Sequence, residues 1–588
     1  MKESFRVLVV DLETGRGKPA DFGGPQEHLG GSGLAAALFE AYGDPSAPWD
    51  DPRQPLIFAV GPLTGYFPLM SKVVLGFKSP YHDQYAESHA GGRLALALRF
   101  SGYDALVVRG VAPRPTGLSL GYRECHLWDA HYLWGMDTFA TGKWVRKIHP
   151  GGSGHRSILR IGPAGENQVP CAAINVDTYR HFGRLGGGAA MGRKRLKAVV
   201  VSGDTSAPVP ESKAYAALYK SVYQEAVASP VMRKYHDLGT PENILPLNAL
   251  KALPWRNLQA THDPQAEAIS GERFARELLL RQTACAGCPV GCIHIGLLRE
   301  RFGEEHEYLY RQVSYDHEPL FAAGPMLGVT DPGQVLHLLE TMERFGLDAI
   351  SAGVCLSWAT EALERGTVSE KETLVRLRFG EADAYHHAVE HLARGTNDFY
   401  QALGRGVLSA AACYGGTDFA CVLGQEMAGY ATGEVFFVSQ AYGFRHSHLD
   451  SAGYAFDQST PEKDVDKALA FLLDEERRRV ALTCMVSCLF ARKLYPENRL
   501  QEALDVLGYS QAAQDLENLS EKVRCARWRL RFRTGFDPDR VTVPRRFYEL
   551  TTWKGPIDGT FMESLAAAYR GALRRLAAPT ASGPELKT

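Results

Sequence analysis

Residues 285–292 read CAGCPVGC: three cysteines within eight positions on a loop of glycine and proline, with no further cysteine for more than sixty residues. The spacing C-x2-C-x3-C on a tight turn points three thiolates inward, which suits three corners of a cubane iron–sulfur cluster and leaves one corner for a distant ligand. Zinc sites more often use two separated C-x2-C pairs or Cys/His pairs, although His294 offers a nitrogen two residues on. The radical-SAM order, C-x3-C-x2-C, is the reverse of this one. Candidates for the fourth ligand are Cys125, Cys171, Cys355, Cys413, Cys421, Cys484, Cys488 and Cys525. Composition does not choose among them, because a free cysteine packs well as a small buried hydrophobe.

Around that loop, 588 residues are enough for several domains and for an interior that encloses a large cofactor. A formal net charge of -2 gives no reason to expect nucleic acid as a partner. No run of 18 apolar residues occurs, so no membrane span is expected. The N-terminus, MKESFRVLVVDLETGRG, alternates apolar and polar residues and then turns at Thr14–Gly15. It reads as a first hairpin and not as a signal peptide, and a cytoplasmic location is the expectation. Eleven cysteines in such a chain are reduced thiols, metal ligands or buried residues before they are disulfides.

The first two hundred residues hold β-type runs, RVLVVDL, PLIFAVG, KVVLGF, ALVVRG, SILRIG and LKAVVVSG, each bounded by turn residues. From about Ser212 the period becomes helical, as in SKAYAALYKSVYQEAVAS and GQVLHLLETMERFG. SGDTSAPVPES, 202–212, is the joint between the two compositions. The tail APTASGPELKT, 578–588, is expected to be disordered. Five glycine loops lie in the β-rich part, at 28–38, 61–68, 89–108, 161–174 and 182–201. Each alone is explained by a tight turn; together they suggest a large phosphorylated cofactor held mainly by backbone N–H groups. None is a Walker loop, and HLGGSGLAAAL lacks the preceding strand of a dinucleotide fingerprint.

Seven stretches occur in one order: GPLTG, KSP (78–80), FSGYDALVVRG, IGPAGEN, GRLGGGAAMGRKRLKAV, CAGCPVGC and GLDAISAG (346–353). In these the chain resembles the tungsten-dependent aldehyde ferredoxin oxidoreductase family. The resemblance implies an α+β fold: a β-rich pterin-binding base domain over 1–204, a mainly α domain with the cluster cysteines over 205–413, and a mainly α C-terminal domain over 414–588. It implies a tungsten or molybdenum bis-pyranopterin, a [4Fe-4S] cluster, a homodimer, and room for Mg2+ bridging the pterin phosphates. Family spacing selects Cys488 as fourth ligand to Cys285, Cys288 and Cys292, with Cys484 as competitor on the same helix face.

Site residues carry over position by position. Glu318, in YDHEPLF, and His448, in FRHSHLD, resemble the acid and histidine beside the metal, with His317 where a tyrosine is frequent. The two would serve as general base and proton donor; the bland alternatives are a capping Glu and a structural His. Cofactor contacts fall on Lys72, His89, Arg184, Gly186, Gly187, Glu343, Leu347, Asp348, Thr483 and Ser487. Departures accompany the matches. Lys72 replaces an arginine and loses its planar fork, His89 replaces an asparagine, Glu343 and Thr483 replace aspartates, and Asp450 stands where a lysine is common. His337 and Glu340 stand in the reverse order for the family's interface iron.

The function implied is oxidation of an aldehyde to a carboxylic acid, with electrons leaving through the cluster to ferredoxin or a small iron–sulfur subunit. The departures keep two alternatives open: a low-potential reductase of an aromatic acyl-CoA or related carbonyl, and an iron–sulfur electron-transfer subunit without an active pterin metal.

Overall fold

A computed structural model describes residues 3–150, 154–210, 212–302 and 307–579. Most of the tail expected to be disordered, from residue 580 on, lies outside the described residues. The N-terminal hairpin is present: β1 (Phe5–Asp11) and β2 (Arg16–Phe22) pair antiparallel. With β3 (Leu56–Ala59), β4 (Val73–Lys78), β5 (Tyr85–Ala90) and β6 (Ala105–Arg109) they form a six-stranded sheet in the order β2-β1-β6-β3-β4-β5. β1 and β6 are its parallel pair. The centre of the sheet is buried on both faces, which is why β4 reads VVLGFK without alternation.

A second six-stranded sheet follows: β7 (Thr116–Leu120), β8 (Cys125–Asp129), β9 (His155–Arg160), β10 (Ile174–Val176), β11 (Arg180–Phe182) and β12 (Leu196–Gly203), in the order β11-β10-β9-β12-β7-β8. One apolar core takes side chains from both sheets, among them Leu8, Phe58, Leu75, Leu159, Phe182 and Val199. Antiparallel β4 and β5 place Val74 opposite His89, so Lys72 and His89 emerge at the same end of the sheet.

Beyond Lys213 the chain is largely helical, as expected, and among the described residues three small antiparallel sheets interrupt the helices, the largest of them three-stranded. β13 (Leu279–Thr283), β14 (Ile293–Arg301) and β15 (Tyr308–Tyr315) form an antiparallel sheet, and the cysteine loop is the connection from β13 to β14. The alternation in IHIGLL, with Ile293 and Ile295 buried, is the signal for β14. One hydrophobic core runs through the helical region on both sides of 413–420, uniting Leu403, Val407, Phe419 and Phe436. Among the described residues no helix is long and apolar enough to cross a membrane.

Two distant segments are tied by a buried ion pair. Arg527 donates from Nε and Nη2 to the two oxygens of Glu87 at 2.7 and 2.8 Å, and Ser32 Oγ donates to Glu87 at 2.8 Å. Burial raises the Glu87 carboxyl, and the Arg527 charge together with hydrogen bonds from His89 and Arg527 more than offsets it, holding it at about 2. A carboxyl depressed in the folded state adds stability that is complete above its unfolded pKa and is lost as pH falls toward 2. Arg527→Leu strands a buried carboxylate and is expected to cost on the order of 3–5 kcal/mol. Denaturant midpoints of Arg527→Leu and of the double variant with Glu87→Leu check this: the double variant should recover most of the loss.

Candidate functional site

Backbone hydrogen bonds assemble the cysteine site. Ala286 N–H donates to Gly92 O at 2.9 Å and Leu69 N–H to Gly287 O at 3.0 Å, pinning the loop to the first sheet domain. Cys488 N–H donates to Leu69 O at 2.9 Å and Lys72 N–H to Val486 O at 3.1 Å, so the 69–72 segment clamps both cysteine-bearing stretches. Gly92 N–H donates to Cys285 Sγ at 3.2 Å. A Cβ on Gly91 would stand 2.7 Å from that sulfur and 3.1 Å from Lys72 Nζ, so the close approach demands glycine.

Cys285, Cys288, Cys292 and Cys488 border one cavity of about 350 Å³. Cys484 does not. It closes the helix Val465–Cys484, fully buried, whereas Cys488 lies beyond the helix, past Val486 at φ 54°. The expectation of one shared helix face is therefore corrected: the helix ends before the second cysteine. The seat for that helix end comes from two glycine loops. A Cβ on Gly31 would lie 2.2 Å from Thr483 O, and one on Gly61 2.6 Å from Cys484 O. Those loops, read as cofactor loops, pack a helix terminus instead.

The thiols are buried among one another: burial, then the Cys488 charge, push Cys288 up to about 12, and burial raises Cys292 further. Ligation therefore has to release protons. Burial pulls the Lys72 ammonium down, but Cys488 and Cys285 more than offset it and keep the cation. Arg180, paired with Asp316 at 2.7 Å, faces Cys285 and Cys292. His294 is buried against the carbonyls of Cys292 and Asp237 and does not border the cavity. Among the described residues no three His, Cys, Asp or Glu side chains converge on a point suited to one ion.

In the lining of the same cavity, Glu318 sits in the first turn of the helix His317–Ala323, and His448 in the loop after Glu434–Ala441. His448 Nε2 lies 3.2 Å from Glu318 Oε1, which also accepts from Tyr430 Oη at 2.9 Å. Burial raises the Glu318 carboxyl, but the His448 hydrogen bond and charge more than offset it and hold it at about 2. The N-cap of that helix is Asp316, and the side-chain partners of Glu318 come from a distant segment. Tyr430, which no local pattern singles out, packs tilted against His448 at 4.8 Å between ring centroids. His317 is fully buried behind Glu318, against Tyr430, and does not border the cavity.

Of the expected cofactor contacts, Lys72, His89, Arg184 and Ser487 border the cavity. Arg184 donates from Nη2 to Glu426 O at 2.8 Å and from Nε to Asp348 at 3.3 Å, while its buried Nη1 has no partner. Asp348 caps the helix Ala349–Glu364 and aims Arg184. Glu343 lies behind, engaged by His181 at 2.9 Å and by Asn175 at 3.0 Å. Leu347 bridges Ala172 through its backbone. Gly186 and Gly187 do not border the cavity: Cβ atoms there would strike Pro80 and Leu75, and it is Gly183 to Leu185 that face it. Thr483 borders a separate narrow cleft. Glu340 is held by Arg311 and Arg344, and the His337 ring lies tilted against His386 at 4.2 Å between centroids.

Residues 7–203 match the family model for the aldehyde ferredoxin oxidoreductase N-terminal domain, and residues 217–574 the model for domains 2 and 3. A tungsten-containing aldehyde ferredoxin oxidoreductase of Pyrococcus furiosus is 29% identical over 580 residues, covering 94% of this chain and 93% of the relative. The Thermococcus kodakarensis protein of the same name is 28% identical over 576 residues, with the same coverage. An aliphatic sulfonate oxidoreductase, WOR-like subunit, of Pyrococcus furiosus is 28% identical over 403 residues, 65% of this chain and 62% of the relative. A solved structure, the active site complex BamBC of Benzoyl Coenzyme A reductase in complex with 1,5 Dienoyl-CoA, superposes with a TM-score of 0.81 at 19% identity, covering 97% and 95% of the two chains, and so shares the fold.

Proposed function

Because the chain belongs to the aldehyde ferredoxin oxidoreductase family, we propose that it is an oxidoreductase converting an aldehyde and water to a carboxylic acid, two protons and two electrons. The observation carrying this reading is one cavity lined by four thiols, Lys72 and the Glu318–His448 pair. The residues fit the family's cofactors: four cysteine sulfurs for a [4Fe-4S] cluster, and Arg184, with an unpartnered buried N–H edge, for a pyranopterin. When bound, the tungsten bis-pyranopterin supplies the two-electron chemistry and the cluster the single-electron exchange with a ferredoxin or small iron–sulfur protein.

The chain's own groups do the rest. Glu318 Oε1 is occupied by Tyr430 and His448, leaving Oε2 as the oxygen that can take a proton from the substrate or its water. His448 Nε2 holds that carboxylate in place and returns a proton. Lys72 offsets the negative charge gathered by the thiolates, and the apolar walls Pro319, Ile350 and Leu449 exclude bulk water.

Protein produced in tungstate-supplemented cells should carry about four irons and one tungsten, and should reduce viologen with at least one aldehyde of a panel. Metal-replete protein that instead oxidises reduced viologen only with acyl-CoA substrates would overturn the aldehyde reading. Four irons without tungsten or molybdenum would point to an electron-transfer subunit.

A further inference from the structure

Arg445 borders the same cavity and has no counterpart among the residues expected from sequence. Its guanidinium is held from two sides. Nε donates to Asp450 Oδ1 at 2.8 Å, while the Arg445 and Ser447 N–H groups donate to Asp450 Oδ2 at 2.8 and 3.2 Å. Nη1 donates to His89 Nδ1 at 3.1 Å. His89 accepts there through its lone pair, so its proton sits on Nε2, directed at Glu87 3.4 Å away. Burial, then the Arg445 charge, hold His89 down to about 4 and keep it neutral. Glu87 is in turn fixed by Arg527, giving the unbroken line Asp450–Arg445–His89–Glu87–Arg527.

The line leaves one element unused. An arginine has five N–H donors in a fixed fork. Here the Nη2 donors meet no acceptor among the described residues, although the side chain is only 10% exposed. Asp450 and His89 lock the plane, and Arg445 borders both the cavity and the cleft that contains Thr483. Both ring nitrogens of His89 are spent on protein, so His89 orients Arg445 and does not itself grip a ligand. A planar fork with a free edge matches the paired oxygens of a phosphate.

We propose that Arg445, oriented by Asp450 and His89, is the anchor for the phosphate of a pyranopterin in this cavity. The anchor moves the positive charge five residues upstream of the position where Asp450 stands. It rests on the cavity being the cofactor site.

The test is the composition of purified Arg445→Gln, Arg445→Lys and Asp450→Asn proteins beside wild type, all from tungstate-supplemented cells. Iron, tungsten and pterin, the last released by oxidation and read by fluorescence, are measured before and after extensive dialysis. Arg445→Gln should keep wild-type iron and bind pterin and tungsten roughly 10- to 100-fold more weakly, the loss expected for one charge-assisted contact. Arg445→Lys should retain an intermediate amount, since it keeps charge without the fork, and Asp450→Asn should fall in the same direction. Full pterin in Arg445→Gln overturns the proposal, and a raised KM confined to anionic substrates would then make Arg445 a substrate residue. Parallel loss of iron and pterin in all three variants would make it structural and overturn it too. Wild-type protein without pterin would instead sink the cofactor assignment on which the proposal stands.

Discussion

Glu318→Gln is expected to lower kcat by about 10²- to 10⁴-fold, the range for loss of a positioned acid–base group, with iron and tungsten content unchanged. The amide keeps the shape of the side chain and the contacts from Tyr430 and His448, whose atoms lie 2.9 and 3.2 Å from Oε1. It removes the charge and the proton-accepting oxygen. Steady-state rates with an aldehyde that wild type turns over, set beside metal analysis of the same preparation, are the measurement. A variant within tenfold of wild type at full metal content would remove Glu318 from the chemistry. Tyr430→Phe separates orientation from proton transfer: it deletes one hydrogen bond to Glu318 and should cost far less, about tenfold.

Cys488→Ser is expected to take iron from about four per chain to a small fraction of that, because a cubane with three thiolates lacks its fourth corner. Cys484→Ser should keep its iron. Its thiol is wholly buried at the end of the helix Val465–Cys484, away from the cavity that the other four sulfurs border. Iron determination and the visible absorbance of the reduced and oxidised proteins decide between them. Iron lost from Cys484→Ser but kept in Cys488→Ser would transfer the ligand role to Cys484.

Much of the scaffold is legible in local sequence, since β-type runs bounded by turn residues in 1–204 coincide with β1, β3, β4, β6, β9 and β12. The cysteine loop announces itself because three cysteines lie within eight positions. The β13–β15 sheet is masked in the sequence, although Ile293 and Ile295 alternate with polar and small residues, because helical periods dominate the flanking sequence. The Asp450–Arg445–His89–Glu87–Arg527 line leaves no local trace: His89 and Arg445 are 356 positions apart and Glu87 and Arg527 are 440. Tyr430 is hidden likewise, an ordinary core aromatic until the fold sets it 112 positions away beside Glu318. Glycine is the ambiguous letter. It marks close approach without saying what approaches, and at Gly31 and Gly61 the visitor is the carbonyl backbone of 483–484.

That last packing sets an order of events during synthesis. A growing chain presents Cys285, Cys288 and Cys292 when barely half of it has been translated, yet the seat formed by Gly31 and Gly61 stays empty until the segment ending at Cys488 leaves the ribosome some two hundred residues later. With Cys488 as the proposed fourth ligand, the three-thiol loop would wait, reduced and unclosed, and a chain cut short before residue 488 would lack the fourth sulfur. Under the proposed ligand set, a complete four-sulfur site reports that translation has passed residue 488.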